Sequence, residues 1–297
     1  MTRYFNTEGS CNPKEHYMVK LNDRSKRIKK LLVDRKKYFI INRGRQYGKT
    51  TTLDALRREL KEQYIVLSLD FQQMGTEDFA DTSMFVCAFA KKLFMAFRSV
   101  ESEDKEHLQG MLSDFQHTGS GAGMSDLFEC LSHMCEISSR PMVLMIDEVD
   151  SASNNQVFVD FLAQLRSYYL KREELPIFHS VILAGVYNIK NLKLKLRPEP
   201  DHQYNSPWNI AADFDIDMSF SADQIQGMLE EYESDYHTQM DIQAVAEEIY
   251  AYTSGYPVLV SSICKQLDEK LLGNKEFEKF ETMKQVWTTE GIAKCVC

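Results

Sequence analysis

Tyr38-Phe39-Ile40-Ile41-Asn42 is a run of aromatic and β-branched residues that reads as a short buried strand. Gly48 then permits a tight turn, and Leu53, Leu56 and Leu60 recur at helical spacing. A second strand is predicted over residues 65–71, followed by a helix over about 81–98 with Phe85, Phe89, Leu93 and Phe97 inward. A helix over 103–116 ends in the glycine-rich stretch 117–123, which follows a helix and so reads as a connector. Ser125 is the expected N-cap of a helix over 126–138, with Phe128 and Leu131 inward. Residues 141–146 are an unbroken apolar run, expected of a parallel strand covered on both faces, and end in Asp147 and Glu148. An amphipathic helix over 156–171 and a buried strand over 181–185 follow. Alternation through Asp215-Ile216-Asp217-Met218-Ser219-Phe220 predicts a fifth strand.

From residue 221 the pattern is helical only, over 221–235, 240–253 and 257–272, with Pro257 at a first helical position. Strands alternating with helices and then helices alone imply an α/β domain over 1–220 and a small all-helical lid domain over 221–297. Residues 1–22 read as an irregular lead-in to a helix over 24–35. Within the lead-in, Tyr17, Met18 and Val19 are candidates to touch a nucleotide base, against the alternative of packing under that helix.

The 297 residues suffice for one large domain or two smaller ones, and 43 % hydrophobic with 27 % charged residues is ordinary for a soluble globular protein. No apolar stretch approaches the length of a membrane helix, and the N-terminus lacks the apolar core of a secretory signal, so a cytoplasmic location is expected. Seven scattered cysteines without a C-x-x-C pair read as reduced thiols, Cys295 and Cys297 being the ones open to oxidation. A net charge of −9 disfavours wholesale nucleic-acid binding. The basic run that begins at Arg24 and Lys26 has an apolar stripe of Ile28, Leu31 and Leu32, and reads as a surface helix with a solvated basic face.

The candidate chemistry lies at two strand ends. A strand, a turn with Gly48 and a helix start carrying Lys49 and Thr50 make a phosphate-binding P-loop, or Walker A motif. Backbone N–H groups of Gly44, Arg45, Gln46, Tyr47, Gly48, Lys49, Thr50 and Thr51 are candidates to cradle the nucleotide phosphates, with Lys49 reaching the β- and γ-phosphates and Thr50 ligating Mg²⁺. The full pattern has glycine where this chain has Arg43, so the turn needs an ordinary backbone conformation there. Asp147 is the expected second metal ligand and Glu148 the catalytic base for water, the Walker B pair. Ligands of open α/β sheets bind at the carboxyl ends of the strands, so these groups are expected to converge. Asp150 is a candidate partner of metal-bound water. After the strand at 181–185, Asn188 is a candidate sensor of the γ-phosphate, with turn formation as the alternative. Arg197 and Arg166 are candidates for an arginine finger acting between subunits, against a solvated basic face.

Through residues 43–50, Met145-Ile146-Asp147-Glu148 and Gly255-Tyr256-Pro257, the chain resembles the bacterial AAA-ATPase-like P-loop proteins, relatives of the AAA+ and STAND ATPases. The last triplet is similar to the G-x-P signature of the STAND-like lid. The resemblance implies an ASCE three-layer α/β core with a five-stranded parallel sheet in the order 5-1-4-3-2, and ATP with Mg²⁺ as ligand. It also implies a possible homo-oligomer and, in some members, a nuclease-like effector domain for which this chain has no room. Two functions follow from it: an ATPase whose turnover drives remodelling, or a slow nucleotide switch that signals through its lid to a client or effector.

Overall fold

β1 (Phe39–Asn42), β2 (Ile65–Asp70), β3 (Met142–Asp147) and β4 (Ser180–Gly185) form one parallel sheet in the order β1-β4-β3-β2. The computed structural model describes residues 2–118, 121–186, 208–269 and 282–296. β3 and β4 are buried at every position, which is why their sequences are apolar without alternation. The register pairs Asn42 with Gly185 and Asp70 with Asp147, so all four strands end along one edge of the sheet.

The expected fifth strand is absent among the described residues. Beyond the outer edge of β1 there is a single bridge, Phe39 to Ala212, in which the Ala212 N–H donates to the Tyr38 carbonyl at 2.8 Å. Phe214 stacks on Phe39 with rings 5° from parallel, and the ladder goes no further. Ile216 and Met218 are buried and Asp217 exposed, so the period of two is real. The backbone of this stretch is satisfied elsewhere, however. The carbonyls of Met218 and Ser219 accept from the Arg24 guanidinium at 3.0 and 3.2 Å, and the Phe220 N–H donates to Gly255.

The chain divides into two compact units. One comprises Ser25–Gly44 and Leu53–Asp215. Its core is rich in aromatic contacts, with Phe85, Phe89, Phe128, Phe158 and Phe161 all fully buried under the sheet's helices. These side chains come from α3 (Thr82–Ala96), α5 (Met124–Ile137) and α6 (Gln156–Leu170); α4 (Lys105–Thr118) lies between α3 and α5 in sequence. Asp81, not an apolar residue, caps α3 by accepting from the Met84 N–H. The N-cap of α5 is Gly123 instead of Ser125, because Asp126 accepts the Gly123 N–H at 2.7 Å and the helix therefore begins earlier.

The other unit comprises Met1–Arg24, Arg45–Thr52 and Ile216–Cys297. Its helices α7 (Ala222–Tyr236), α8 (Ile242–Thr253), α9 (Pro257–Glu269), α10 (Met283–Val286) and α11 (Thr289–Val296) enclose part of the N-terminal segment. Phe5 and Tyr17 lie in one aromatic cluster with Tyr232 and Trp287, at centroid distances of 4.8–5.9 Å. The Tyr17 hydroxyl donates to Asp235 at 2.6 Å and Arg3 pairs with Glu231 and Asp235. The lead-in is therefore part of the helical core. α1 (Asn22–Ile28) continues into a π-helical turn, Lys29–Val33, and α2 (Lys49–Leu60) follows the turn after β1. Arg24 is only 8 % exposed and does not contribute to a solvated basic face. No described helix is long and apolar enough to cross a membrane.

Candidate functional site

β1 leads into the turn 43–48. Arg43 has no positive φ, so the missing glycine is replaced by an ordinary conformation. Its N–H donates to the Gly185 carbonyl at 3.3 Å, and its guanidinium donates to the Phe214 carbonyl and lies over the Phe214 ring. The left-handed positions of the turn are Gln46 (φ 60°) and Gly48 (φ 71°). A Cβ on Gly48 would meet nothing within 4 Å, so glycine is demanded there by backbone conformation and not by crowding. The Thr52 N–H donates to the Gly48 carbonyl and closes the first bond of α2. Lys49 is buried and Thr50 exposed, while the Thr51 hydroxyl accepts the Cys11 N–H at 3.1 Å. Tyr256, just before α9, donates its hydroxyl to the Arg45 carbonyl and rests its ring 4.5 Å from that of Tyr47.

Beside this turn, within the helical unit, lies a cavity of about 330 Å³. Gln46, Gly48 and Thr51 line it from the turn, Met18 and Val19 from the N-terminal segment, and Phe220, Met228, Pro257 and Val258 from the C-terminal part. The lining mixes apolar side chains such as Met18, Val19, Phe220 and Val258 with polar ones such as Asn6, Glu8, Arg24 and Ser261, a mixture able to take a ligand with an apolar face and polar edges. Burial draws the Arg24 guanidinium down from its ordinary pKa, and the charge of Asp217 opposes that shift. Burial likewise pushes the Cys11 thiol up.

At the end of β3, Asp147 is buried and Glu148 adopts a left-handed conformation, φ 52° and ψ 40°. The Glu148 N–H donates to Asp147 Oδ1 at 2.9 Å, and the N–H and hydroxyl of Ser151 both donate to the Glu148 carbonyl. Asp150 accepts the Val186 N–H just beyond β4. A Cβ on Gly185 would fall 2.8 Å from the Asp150 carboxylate, so a larger residue there would have to displace that side chain. Strain at non-glycine left-handed residues concentrates at functional sites, and Gln46 and Glu148 both fall at positions singled out by sequence.

A family model described as the AAA-like domain matches residues 7–292. The chain belongs to that family. Solved structures with the same fold include a Walker-type ATPase of Pyrococcus abyssi, at 14 % identity and TM-score 0.57, covering 98 % of this chain and 76 % of that one. The Cdc6p protein of Pyrobaculum aerophilum matches at 15 % identity and TM-score 0.51, over 86 % of this chain and 62 % of its own. The ORC2 protein of Aeropyrum pernix, solved as ADPNP and ADP complexes, matches at 10 % and TM-score 0.51, over 97 % of this chain and 69 % of its own. No curated protein matches the sequence. Membership of the AAA-like domain family together with the P-loop ATPase fold supports nucleotide binding at a general level.

Of the candidates for base contact, Met18 and Val19 line the cavity, whereas Tyr17 is turned into the aromatic cluster. Arg166 donates to Asn209 at 2.9 Å. Asn188 and Arg197 lie outside the described residues. Sequence reasoning passed over Arg24 and Tyr256, the first as one more cation in a basic run and the second inside a helix break. Mg²⁺ takes one or two carboxylates and completes its shell with phosphate oxygens and water. The Thr50 hydroxyl and Asp147 carboxylate are hard oxygen donors of that kind, and no cluster of three or more His, Cys, Asp or Glu that could hold a metal occurs among the described residues.

Proposed function

We propose that the chain binds ATP with Mg²⁺ through the turn 43–51 and hydrolyses it. The observation that carries this reading is the cavity of mixed apolar and polar lining beside the left-handed turn Gln46–Gly48, a slot for a base next to a cradle for phosphates. Backbone N–H groups from Gly44 to Thr51 bind phosphate oxygens, and the Lys49 ammonium offsets charge on the β- and γ-phosphates. Thr50 and Asp147 hold the magnesium ion, which when bound neutralises phosphate charge. Glu148 orients the attacking water and takes its proton, with Asp150 fixing the loop that carries it. Asn188 and Arg197 complete the reading as γ-phosphate sensor and as a finger presented to a neighbouring subunit.

A second reading, a slow switch of the STAND kind that signals to a client or effector, is favoured by the cavity wall. Pro257 and Val258 open α9, so nucleotide occupancy is felt directly by the helical unit, the lid of this proposal. Steady-state hydrolysis measured at several protein concentrations separates the two. A rate per subunit that rises with concentration marks an oligomeric ATPase, and a flat, very low rate marks the switch. Lys49→Ala is expected to abolish ATP binding by calorimetry; retention of parental affinity and rate by this variant would remove the turn from the site.

A further inference from the structure

We propose that Tyr256 is a positioning residue for the phosphate-binding turn, aiming a backbone donor at the triphosphate; the inference rests on the nucleotide reading above. Tyr256 does not line the cavity, so it acts through the turn and not on the base. Its hydroxyl holds the Arg45 carbonyl and its ring meets Tyr47, so both neighbours of Gln46 are anchored. In a trans peptide the C=O and the following N–H point in opposite directions. Fixing the Arg45 carbonyl on Tyr256 therefore commits the Gln46 N–H to the other side of the turn. That N–H has no acceptor among the described residues and is available to a phosphate oxygen. Gln46 also occupies a left-handed conformation that a side-chain-bearing residue keeps only when held from outside.

Tyr256 is itself presented by a rigid corner. Gly255 has φ 72°, and a Cβ there would lie 1.9 Å from the Phe220 carbonyl oxygen. The Phe220 N–H donates to the Gly255 carbonyl at 2.8 Å, and the Tyr256 N–H donates to Thr253 at 3.0 Å. Pro257 then starts α9, so the tyrosine has little freedom to follow a turn that relaxes.

The test compares the parent chain with Tyr256→Phe, which keeps the ring and removes the hydroxyl, and with Tyr256→Ala. Affinity for ATP with Mg²⁺ and for adenosine is measured by calorimetry, and thermal unfolding is measured without nucleotide. Tyr256→Phe is expected to weaken ATP about fivefold, the fold-change of one hydrogen bond, while adenosine affinity and the nucleotide-free Tm stay at parental values. Tyr256→Ala is expected to weaken ATP further. Parental ATP affinity in Tyr256→Phe overturns the inference, and so does a fall in Tm that accompanies equal weakening of both ligands. A parent chain that binds neither ATP nor adenosine overturns the nucleotide reading itself, which distinguishes that failure from this one.

Discussion

Glu148 keeps a left-handed backbone because its carbonyl is gripped twice by Ser151 and its loop is tied to β4 through Asp150. Glu148→Gln preserves size and backbone and removes only the ability to accept a proton. Single-turnover hydrolysis is expected to fall by about 100-fold or more, with ATP affinity by calorimetry unchanged, the pattern of a group that acts in the transition state. A parental rate would assign the base elsewhere. The placement of Lys49 and Thr50 at a helix start and of Asp147 and Glu148 at a strand end was legible in the sequence, because each stands at fixed spacing from a strand that betrays itself by composition. Arg24 and Tyr256 were not, since their meaning lies in partners 194 and 211 positions away. No local pattern encodes such contacts.

At the level of elements, four strands and most helices follow from periodicity because burial alone sets it. The stretch 215–220 shows where that logic stops. Alternation reports which side chains are buried, and a strand needs a neighbouring backbone as well; here Arg24 and Gly255 take the carbonyls and the N–H that a ladder would have used. The same corner makes Gly255 a demanding position, with a left-handed φ and no room for a Cβ against the Phe220 backbone. Gly255→Ala is expected to lower stability by about 3 kcal/mol in urea denaturation, combining backbone strain with displacement of a carbonyl that cannot swing aside as a side chain would. A change within a few tenths of a kcal/mol would show that the corner yields.

For the molecule as a whole, the order of α/β elements before purely helical ones was legible, and the assembly of the helical unit from three separate stretches was not. That assembly depends on carboxylates. The Tyr17 hydroxyl and then Arg3 hold Asp235 below the usual carboxylate range. Partial burial pushes Glu231 up, but Lys20 and Arg3 outweigh it and bring it below its ordinary value. Both groups therefore contribute stability that is present above the unfolded values of about 4 and is lost as pH falls through the lower folded ones. Asp268, raised by burial, runs the other way and offsets part of the loss. Near-ultraviolet circular dichroism of the Tyr232 and Trp287 cluster is expected to hold from neutral pH to about 4 and to fade below it, and loss already at neutral-to-mildly-acid pH would contradict these assignments.

The cavity beside the turn draws its walls from residues as early as Asn6 and as late as Ser261. During synthesis the sheet can close once Gly185 has left the ribosome, whereas the first two dozen residues must wait for partners as late as Trp287. A nascent chain thus carries the whole turn 43–51 long before the cavity beside it has its far wall, which is complete only once Ser261 has been made.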